Sequence, residues 1–419
     1  MGVSETHKTI EAIWKIEAAK LIATLARMLR DVGLAEDLAQ DALLAALEQW
    51  PDEGIPRNPG AWLMATAKHR ALDRLRRAKM FDRKHQVLAA TLGVLERAMP
   101  GIDAALDNGI GDDLLRLMFI ACHPVLSPEA RVALALRLLG GLTTEEIARA
   151  FLVPEPAIAQ RIVRAKGTLR KKQIPFEVPR GAELAERMSS VLSVIYLIFN
   201  EGYSASSGGH WLRPALCEDA LRLGRILAEL ATNEPEVHGL VALMEIQASR
   251  IAARTGPNGE PVLLLDQNRA HWDQLLIRRG IAALDRAIRL GGARGPYALQ
   301  AAIAACHARA RAASETDWAQ IATLYAALFK VAPTPVIELN RAVAVSMAQG
   351  PAAGLEIVER LTGKPSLQDY HRLPSVRADL LFKLGRLAEA RAEFERAASL
   401  AENARERTML LARVRECVG

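Results

Sequence analysis

Residues 141–172 read GLTTEEIARAFLVPEPAIAQRIVRAKGTLRKK and specify a pair of helices joined by a tight turn. Thr143 precedes an apolar helical pattern and Glu146 follows three residues later, which is the spacing of a capping box. The turn LVPEP then leads into a second helix, whose first turn tolerates Pro156. A short helix, a turn and a longer helix together indicate a helix-turn-helix.

The second helix of this pair has an apolar face and a polar face. Its apolar residues recur at helical spacing and predict a buried stripe: Ile158, Ile162, Ala165 and Leu169. Gln160, Arg164 and Lys171 face outward, and Gln and Arg side chains can hydrogen-bond to base edges in the major groove. Further cations are predicted to contact phosphates: Arg161, Lys166, Arg170 and Lys172. The helix is a candidate reader of duplex DNA, with a generic helical hairpin as the alternative.

Positive charge is concentrated in two short segments. Residues 68–84 hold eight Lys and Arg against two Asp, and residues 157–173 hold six Lys and Arg and no acid. Each segment therefore carries +6, while the whole chain also carries only +6, so the rest of it is acidic. Two basic segments in an acidic protein predict two contacts with a polyanion such as nucleic acid. For either segment alone, a solvated helix face is the alternative.

Length and composition narrow the class of protein. The chain has 419 residues, half of them hydrophobic and 5% aromatic, which predicts two or three mostly helical domains. No uncharged run exceeds 14 residues and the first 20 residues carry charges, so we expect neither a membrane span nor an export signal. The four cysteines are far apart, which argues against a metal site or disulfides and predicts a cytoplasmic location.

Periodicity predicts three helices in the N-terminal part, near residues 6–30, 34–49 and 60–80. The second of these helices carries a ridge of polar groups with one leucine: Asp37, Gln40, Asp41, Leu44 and Glu48. Residues 31–53 around it contain seven acids and no Lys or Arg. Carboxylates lined along one helix are more typical of a protein-binding face than of a catalytic pair, which must face across a cleft.

The third helix also has two faces. Met64, Ala67, Ala71 and Leu75 form its apolar stripe. The opposite face combines aromatic, polar and cationic groups: Trp62, Thr66, His69, Asp73, Arg76 and Arg77. Rings stack on bases while cations neutralise phosphates, so this face is a candidate for holding single-stranded nucleic acid. The alternative is that Trp62 covers the core and His69 is an incidental surface residue.

Three strings together resemble the extracytoplasmic-function (ECF) group of bacterial RNA polymerase sigma factors. They are LAEDLAQDALLAALEQWP (34–51), PGAWLMATAKHRALDRLRR (59–77) and LTTEEIARAFLVPEPAIAQRIVRAKGTLR (142–170). They cover about the first 175 residues in the order and spacing of the family. The resemblance implies a promoter-specificity subunit that binds core polymerase, recognises and opens promoters, and catalyses no covalent step.

The resemblance assigns the first two strings to different partners. In the family, the first string grips the clamp coiled coil of the polymerase's largest subunit, which here implicates Asp37, Gln40, Asp41 and Leu44. The second string captures the melted minus-ten strand, with a base flipped into a pocket. Its implicated residues are Trp62, Thr66, His69, Arg70, Asp73, Arg76 and Arg77. His69 stands where family members usually have Asn.

The third string is the minus-thirty-five reader of the family. The usual T-V-[KR]-S-R pattern is replaced by AIAQR here, so Ala159 occupies a commonly basic position. The residues that inherit the DNA contacts are Gln160, Arg161, Val163, Arg164, Lys166 and Lys171. Residues 115–151, followed by FNEGYSASSG (199–208), further resemble a subgroup with a long helical C-terminal extension.

The C-terminal part contains a degenerate repeat. Ala342, Gly354, Val358 and Leu361 correspond to Ala378, Ala390, Phe394 and Ala397 at a constant shift of 36 residues. Small residues followed by apolar ones at this period indicate tetratricopeptide (TPR)-like helix pairs. Such repeats usually offer a concave surface to a peptide or protein, which predicts a regulatory or partner-binding role.

Several polar residues in the C-terminal part belong to types that hydrolases use: Glu201, Ser204, His210, Asp266 and His271. Their spacing matches no nucleophile elbow, metal motif or phosphate loop, so loop capping and packing account for them better. Cys122 and His123 likewise have no partner ligand at metal-site spacing. We therefore expect no catalytic residue, metal or cofactor.

The sequence as a whole predicts an all-α protein. Residues 1–85 are predicted to bind polymerase and the minus-ten element, 86–112 to be a linker, 113–178 to be the helix-turn-helix domain and 179–419 to be a TPR-like domain. The predicted function is an ECF sigma factor with core RNA polymerase and promoter DNA as partners, and a protein bound to the repeats is a further candidate partner. The alternative is a stand-alone helix-turn-helix regulator with a TPR-like sensor domain.

Overall fold

The protein is described by a computed structural model. The residues it describes are 3–81, 102–151, 153–203, 212–256, 260, 262–401 and 403–417. Every regular element in these ranges is a helix, which confirms the all-α prediction. The chain divides into two compact units, Met1–Ile195 and Tyr196–Gly419.

The helices of the N-terminal unit are α1 (Val3–Leu29), α2 (Val32–Glu53), α3 (Pro59–Phe81), α4 (Ile102–Ala121), α5 (Pro128–Leu138), α6 (Thr144–Phe151), α7 (Glu155–Lys171) and α8 (Ala182–Tyr203), which continues past its boundary. The three predicted N-terminal helices are thus confirmed. Helices α1, α2 and α3 pack together around buried Trp50, Leu38 and Leu63. Helix α4 packs on α1, where Arg27 Nε lies 2.8 Å from the buried carboxylate of Asp113.

The helices of the C-terminal unit that follow α8 are α9 (Pro214–Leu230), α10 (Pro235–Ala248), α11 (Gln274–Arg289), α12 (Pro296–Arg309), α13 (Trp318–Val331), α14 (Pro335–Gln349), α15 (Pro351–Glu359), α16 (Arg372–Lys383), α17 (Leu387–Leu400) and α18 (Ala404–Glu416). Neighbours in sequence pack against each other along most of this series. Short 3-10 turns lie between some of them, including Arg269–His271.

The predicted 36-residue repeat is confirmed as two equivalent helix pairs, α14 with α15 and α16 with α17. All eight residues of the repeat pattern are buried. At Gly354 the helices approach so closely that a Cβ atom would lie 2.5 Å from Ser346 Cβ and 2.8 Å from Ala342 O. A small residue is therefore required at this crossing, as the pattern indicates.

The predicted domain boundaries stay a prediction. Helix α4 begins inside the range 86–112 that was expected to be a linker, and residues 82–101 lie outside the described ranges. Among the described helices, none combines the length and the apolar character that crossing a bilayer requires.

Candidate nucleic-acid and protein interfaces

The helix-turn-helix forms through the contacts that its sequence predicts. The backbone N–H of Thr143 donates to Glu146 Oε2 at 2.8 Å, and the N–H of Glu146 donates to Thr143 Oγ1 at 3.1 Å, which confirms the capping box. Pro156 lies in the first turn of α7. The predicted apolar stripe is buried: Ile158, Ile162, Ala165 and Leu169.

The opposite face of α7 is open to solvent over its first half. Gln160 and Arg164 are exposed, and Val163 has 67% of its surface accessible although it is apolar. In the described part of the chain, the side chains of Gln160 and Arg164 take part in no hydrogen bond or ion pair. Arg161 is half-buried and Lys171 is exposed. This face thus presents one amide, one guanidinium and an apolar side chain, groups that suit base edges and thymine methyls.

Two cations in the second half of α7, Lys166 and Arg170, contact acids at or near the start of α2. Glu36 of α2 is 3% exposed, and its carboxylate accepts hydrogen bonds from Lys166 Nζ and, at 2.7 Å, from Arg137 Nε. Arg137 also donates to the backbone carbonyl of Leu142 at 3.1 Å, so it joins α5 to the entry of the helix-turn-helix. Lys166, which was predicted to contact phosphate, is half-buried and bound to this carboxylate.

A second ion pair joins the start of α2 to the end of α7. Asp31 caps α2 by accepting from the Leu34 N–H at 3.0 Å. Its two oxygens also accept from Arg170, from Nε at 2.9 Å and from Nη2 at 3.2 Å. Burial raises the pKa of Asp31, but the hydrogen bonds from Arg170 and Leu34 outweigh burial and hold that pKa below its usual value.

The acidic ridge of α2 lies next to these ion pairs. Asp37 is exposed and its Oδ1 lies 3.7 Å from Lys166 Nζ. Gln40 and Asp41 are half-buried, and Leu44 is 54% exposed. Asp41 Oδ1 lies 4.0 Å from Arg70 Nη1 of α3. The ridge therefore presents an apolar side chain between carboxylates.

Helix α3 buries its predicted stripe as far as the structure describes it. Met64, Ala67 and Ala71 are buried. Trp62 is half-buried, and its ring meets that of Trp50 edge-on at 5.2 Å between centroids, so it partly covers the core. Three other predicted residues lie on the outward face: Thr66, His69 and Asp73, the last two exposed. Arg76 and Arg77 belong to α3, and their side chains, like that of Leu75, lie outside the described residues.

Two acids that bind α7 were not among the predicted functional residues: Asp31, which caps α2, and Glu36 within α2. A signal for Glu36 is present in the sequence. It lies on the face of α2 that carries Val32, Ala35 and Ala39, all buried, so an acid there needs a cationic partner from another helix. Its partners Arg137 and Lys166 are 101 and 130 residues away, too far for local pattern to identify.

The remaining chemical candidates of the sequence form no catalytic arrangement in the described residues. Glu201 binds Arg213, Asp266 and His271 are exposed, and Ser204 and His210 lie outside the described ranges. Within those ranges no group of three or more His, Cys, Asp or Glu is placed to hold a metal ion. Cys122 is fully buried, and burial raises the pKa of its thiol to about 12, so the thiol is inert.

Comparison with known families agrees with this arrangement. Residues 16–80 match Sigma-70 region 2, residues 116–169 match Sigma-70 region 4, and residues 187–288 match a family of unknown function (DUF6596). The first match contains the acidic ridge and most of α3, and the second contains nearly all of the helix-turn-helix. The third lies mostly in the C-terminal unit.

Comparison with individual proteins gives relatives of two kinds. An uncharacterized protein of Rhizobium meliloti is 44% identical over 92% of this chain and 90% of its own length. The probable ECF RNA polymerase sigma factor SigI of Mycobacterium tuberculosis is 27% identical over 41% of this chain and 58% of its own length. The ECF RNA polymerase sigma factor SigK of Mycobacterium ulcerans is 28% identical over 36% of this chain and 78% of its own length.

Proposed function

The chain belongs to the ECF sigma factors that carry a DUF6596 extension, and from that premise we propose which of its helices meets which partner. Sigma factors are non-enzymatic initiation factors that work with core RNA polymerase and promoter DNA.

Helix α7 reads the minus-thirty-five element from the major groove. The observation that carries this assignment is the contrast between its buried stripe and its open face with Gln160, Val163 and Arg164. Gln and Arg side chains supply hydrogen bonds to base edges, while Val163 fits a thymine methyl. Arg161 and Lys171 flank this face and contact phosphates.

The acidic ridge of α2 binds core polymerase, at the clamp coiled coil of the largest subunit. Exposed Leu44 supplies an apolar anchor, and Asp37 and Asp41 supply charge for a basic partner surface. Helix α3 holds the melted minus-ten strand on the face that carries Thr66, His69 and Asp73, with Trp62 and Arg70 at its edges and Arg76 and Arg77 toward its end.

In the free protein, we infer that the polymerase-binding and DNA-reading surfaces partly mask each other. Lys166 and Arg170 of α7 are bound to Glu36 and Asp31 of α2, and Asp37 of the ridge lies beside Lys166. Binding of α2 to polymerase then separates the two helices and releases both cations for DNA phosphates. Coupling of this kind links promoter binding to polymerase binding.

The C-terminal region 179–419 acts as a regulatory or partner-binding domain. Its support is the confirmed repeat of helix pairs, because repeats of this type bind peptides and proteins along one surface. It either restrains the N-terminal unit or adds to its contacts with polymerase.

Gel filtration of the full-length chain with core RNA polymerase tests the proposed function. The wild-type chain is expected to co-elute with polymerase. Leu44→Asp is expected to weaken binding at least about tenfold, because a charge replaces the apolar anchor. Leu411→Asp is the matched control, since Leu411 is a similarly exposed leucine on α18. Failure of the wild type to co-elute, with intact binding to duplex DNA, favours the stand-alone regulator instead.

Promoter-directed transcription tests the reading helix separately. Arg164→Ala is expected to lower initiation at a promoter about tenfold or more while leaving co-elution with polymerase unchanged. Arg149→Ala is the control, because Arg149 is a cation of α6 that carries no proposed base contact. An equal loss of initiation in both variants would show that the total positive charge, and not a base contact of Arg164, determines promoter binding.

A further inference from the structure

Arg250 and Arg269 of the C-terminal unit are at least half-buried, and among the described residues their hydrogen-bond acceptors are all neutral. Arg250 follows α10, is 9% exposed, and donates from Nη2 to the Tyr203 hydroxyl at 2.7 Å and to Gln247 Oε1. Arg269 lies in the 3-10 turn Arg269–His271 and donates only to neutral acceptors: His307 O, Ala310 O at 2.7 Å and Thr316 Oγ1 at 3.1 Å. Buried cations are ordinarily paired with an acid, so buried Arg250 is exceptional, and half-buried Arg269 lies beside it without an acid of its own.

Trp272 brings the two guanidinium groups into one corner of the unit. Its ring is 3% exposed, and the Cζ atoms of Arg250 and Arg269 lie 5.6 Å and 4.9 Å from its centroid. Arg254 adds a third guanidinium, 3.6 Å from the centroid of the Tyr203 ring. Ring faces attract cations, but they do not cancel their charge.

The local charge balance is positive. Arg269 binds the C-terminal carbonyls of α12, and a helix end supplies roughly half of one negative charge. Glu315 is the acid that acts on Arg269, yet its Oε2 accepts from the Arg311 N–H at 3.0 Å. Burial lowers the pKa of the nearby His307 to about 3, and the positive charges of Arg250 and Arg269 contribute to the same lowering.

Buried polar atoms in this corner call for an acceptor. Three N–H donors have no acceptor among the described residues: Arg250 Nε, Arg269 Nε and Trp272 Nε1. All three belong to the two guanidinium groups or to the ring between them. An oxyanion, which accepts only and carries negative charge, satisfies such donors and balances the excess charge at once.

We propose that the corner formed by Arg250, Arg269 and Trp272 binds a small-molecule oxyanion, a carboxylate or a phosphate group. The site lies where the ends of α10 and α12 meet the segment that precedes α11, so a bound anion stabilises the C-terminal unit. This proposal is independent of the residue assignments for promoter and polymerase. The competing explanation is that the arginines serve only as helix caps, in which case no anion is required.

Gln247→Glu distinguishes the two explanations because Gln247 already accepts from Arg250. The substitution changes one amide to a carboxylate of the same shape and gives Arg250 the acid that it lacks. If the corner has excess positive charge, the variant melts at a higher temperature than the wild type and gains less from added anions. Gln368→Glu on the exposed surface of the same unit is the matched control.

Thermal unfolding of the full-length chain is measured in sodium chloride, inorganic phosphate and citrate at equal ionic strength. Phosphate or citrate is expected to raise the melting temperature of the wild type and of Gln368→Glu to a plateau. In Gln247→Glu, the anion concentration that gives half of the rise is expected to be at least tenfold higher. Isothermal titration calorimetry of the wild type gives the affinity for each anion. The anion that binds more tightly shows whether the site prefers a phosphate or a carboxylate.

Three results overturn the proposal. One is an equal rise in melting temperature in sodium chloride, phosphate and citrate, which would be an effect of ionic strength alone. Another is a melting temperature of Gln247→Glu below that of the wild type, together with a rise in phosphate or citrate as large as that of the wild type. The last is the lack of any saturable binding of phosphate and citrate by the wild type, which leaves the arginines as helix caps.

Discussion

One group of cations in each unit contacts its surroundings in a different way. In the N-terminal unit, Arg137 and Lys166 share the carboxylate of Glu36, and Arg170 binds Asp31 in a bidentate pair. In the C-terminal unit, Arg250 and Arg269 bind a hydroxyl, an amide and carbonyls, and lie against the ring of Trp272. Arg137, Lys166 and Arg170 are therefore balanced by acids of the chain, and we call them the balanced group. Arg250 and Arg269 have only neutral acceptors, and we call them the unbalanced group.

This difference separates two roles for a buried cation. A cation paired with an acid on another helix fixes the position of the two helices and is released only when they part, as we propose for α2 and α7. A cation held by neutral acceptors keeps its charge available to a ligand, as we propose for Arg250 and Arg269. The paired group supports a switch between two conformations, and the unpaired group supports a binding site.

Removing the acid from the balanced group is expected to have the largest effect. Glu36→Gln removes a buried carboxylate from half-buried Arg137 and Lys166, and breaking such a pair costs about 3 kcal/mol. We expect a lower urea midpoint for the N-terminal unit and faster hydrogen exchange in α2 and α7. Urea unfolding combined with hydrogen-exchange mass spectrometry measures both changes.

Asp37→Asn is the control for this prediction, since Asp37 also lies near Lys166 but is exposed. It should cost less than about 1 kcal/mol, as exposed ion pairs do. Similar losses in the two variants would mean that Glu36 is no more important than a surface acid, and the proposed contact between α2 and α7 would have to be abandoned.

In the unbalanced group, the pH dependence of stability is expected to be the next largest effect. The pKa of His307 is lowered to about 3 in the folded chain, beside Arg250 and Arg269, and is ordinarily 6.5. Since the unfolded chain binds the proton first, the stability that neutral His307 provides is present above pH 6.5 and is lost as the pH falls toward 3. Between pH 7.5 and 5.5 we expect a loss of about 1.4 kcal/mol.

His307→Gln is expected to remove this pH dependence. The measurement is the free energy of unfolding of the C-terminal unit at pH 7.5 and pH 5.5 in the wild type and the variant. Saturating phosphate should also reduce it in the wild type, because a bound anion raises the pKa of the imidazole. A wild-type pH dependence that matches the variant's would show that the pKa of His307 is not lowered in the folded chain.

Local pattern predicted much of the fold and of the reading helix. The capping box at Thr143, the buried stripe from Ile158 to Leu169 and the 36-residue repeat all depend on residues within one or two helices. Helical periodicity and capping act over such distances, so a single sequence contains their signals. The open face with Gln160 and Arg164 followed from the same periodicity.

Contacts between distant helices were not predictable in this way. Lys166 and Arg170 were predicted to contact DNA, yet each is bound to an acid at or near the start of α2 that lies 130 or more residues earlier. The corner around Trp272 likewise joins residues from Tyr203 to Thr316. Charge alone marks such residues as functional, but only the packing of the helices shows which of them are already paired.

The smallest effect is expected from the outermost ion pair of the balanced group. Asp31→Asn keeps the cap of α2, since Asn caps helices as well as Asp does, but it frees the 64% exposed side chain of Arg170. The freed cation gains a phosphate contact, so affinity for a minus-thirty-five duplex should rise about two- to fivefold, and the salt dependence should steepen by about 0.9 in the log–log slope. Asp52→Asn removes the same charge from an exposed position of α2 outside the contact. Fluorescence anisotropy over a series of salt concentrations compares the two variants, and an equal gain in both would mean that net charge alone, without release of Arg170, accounts for the effect.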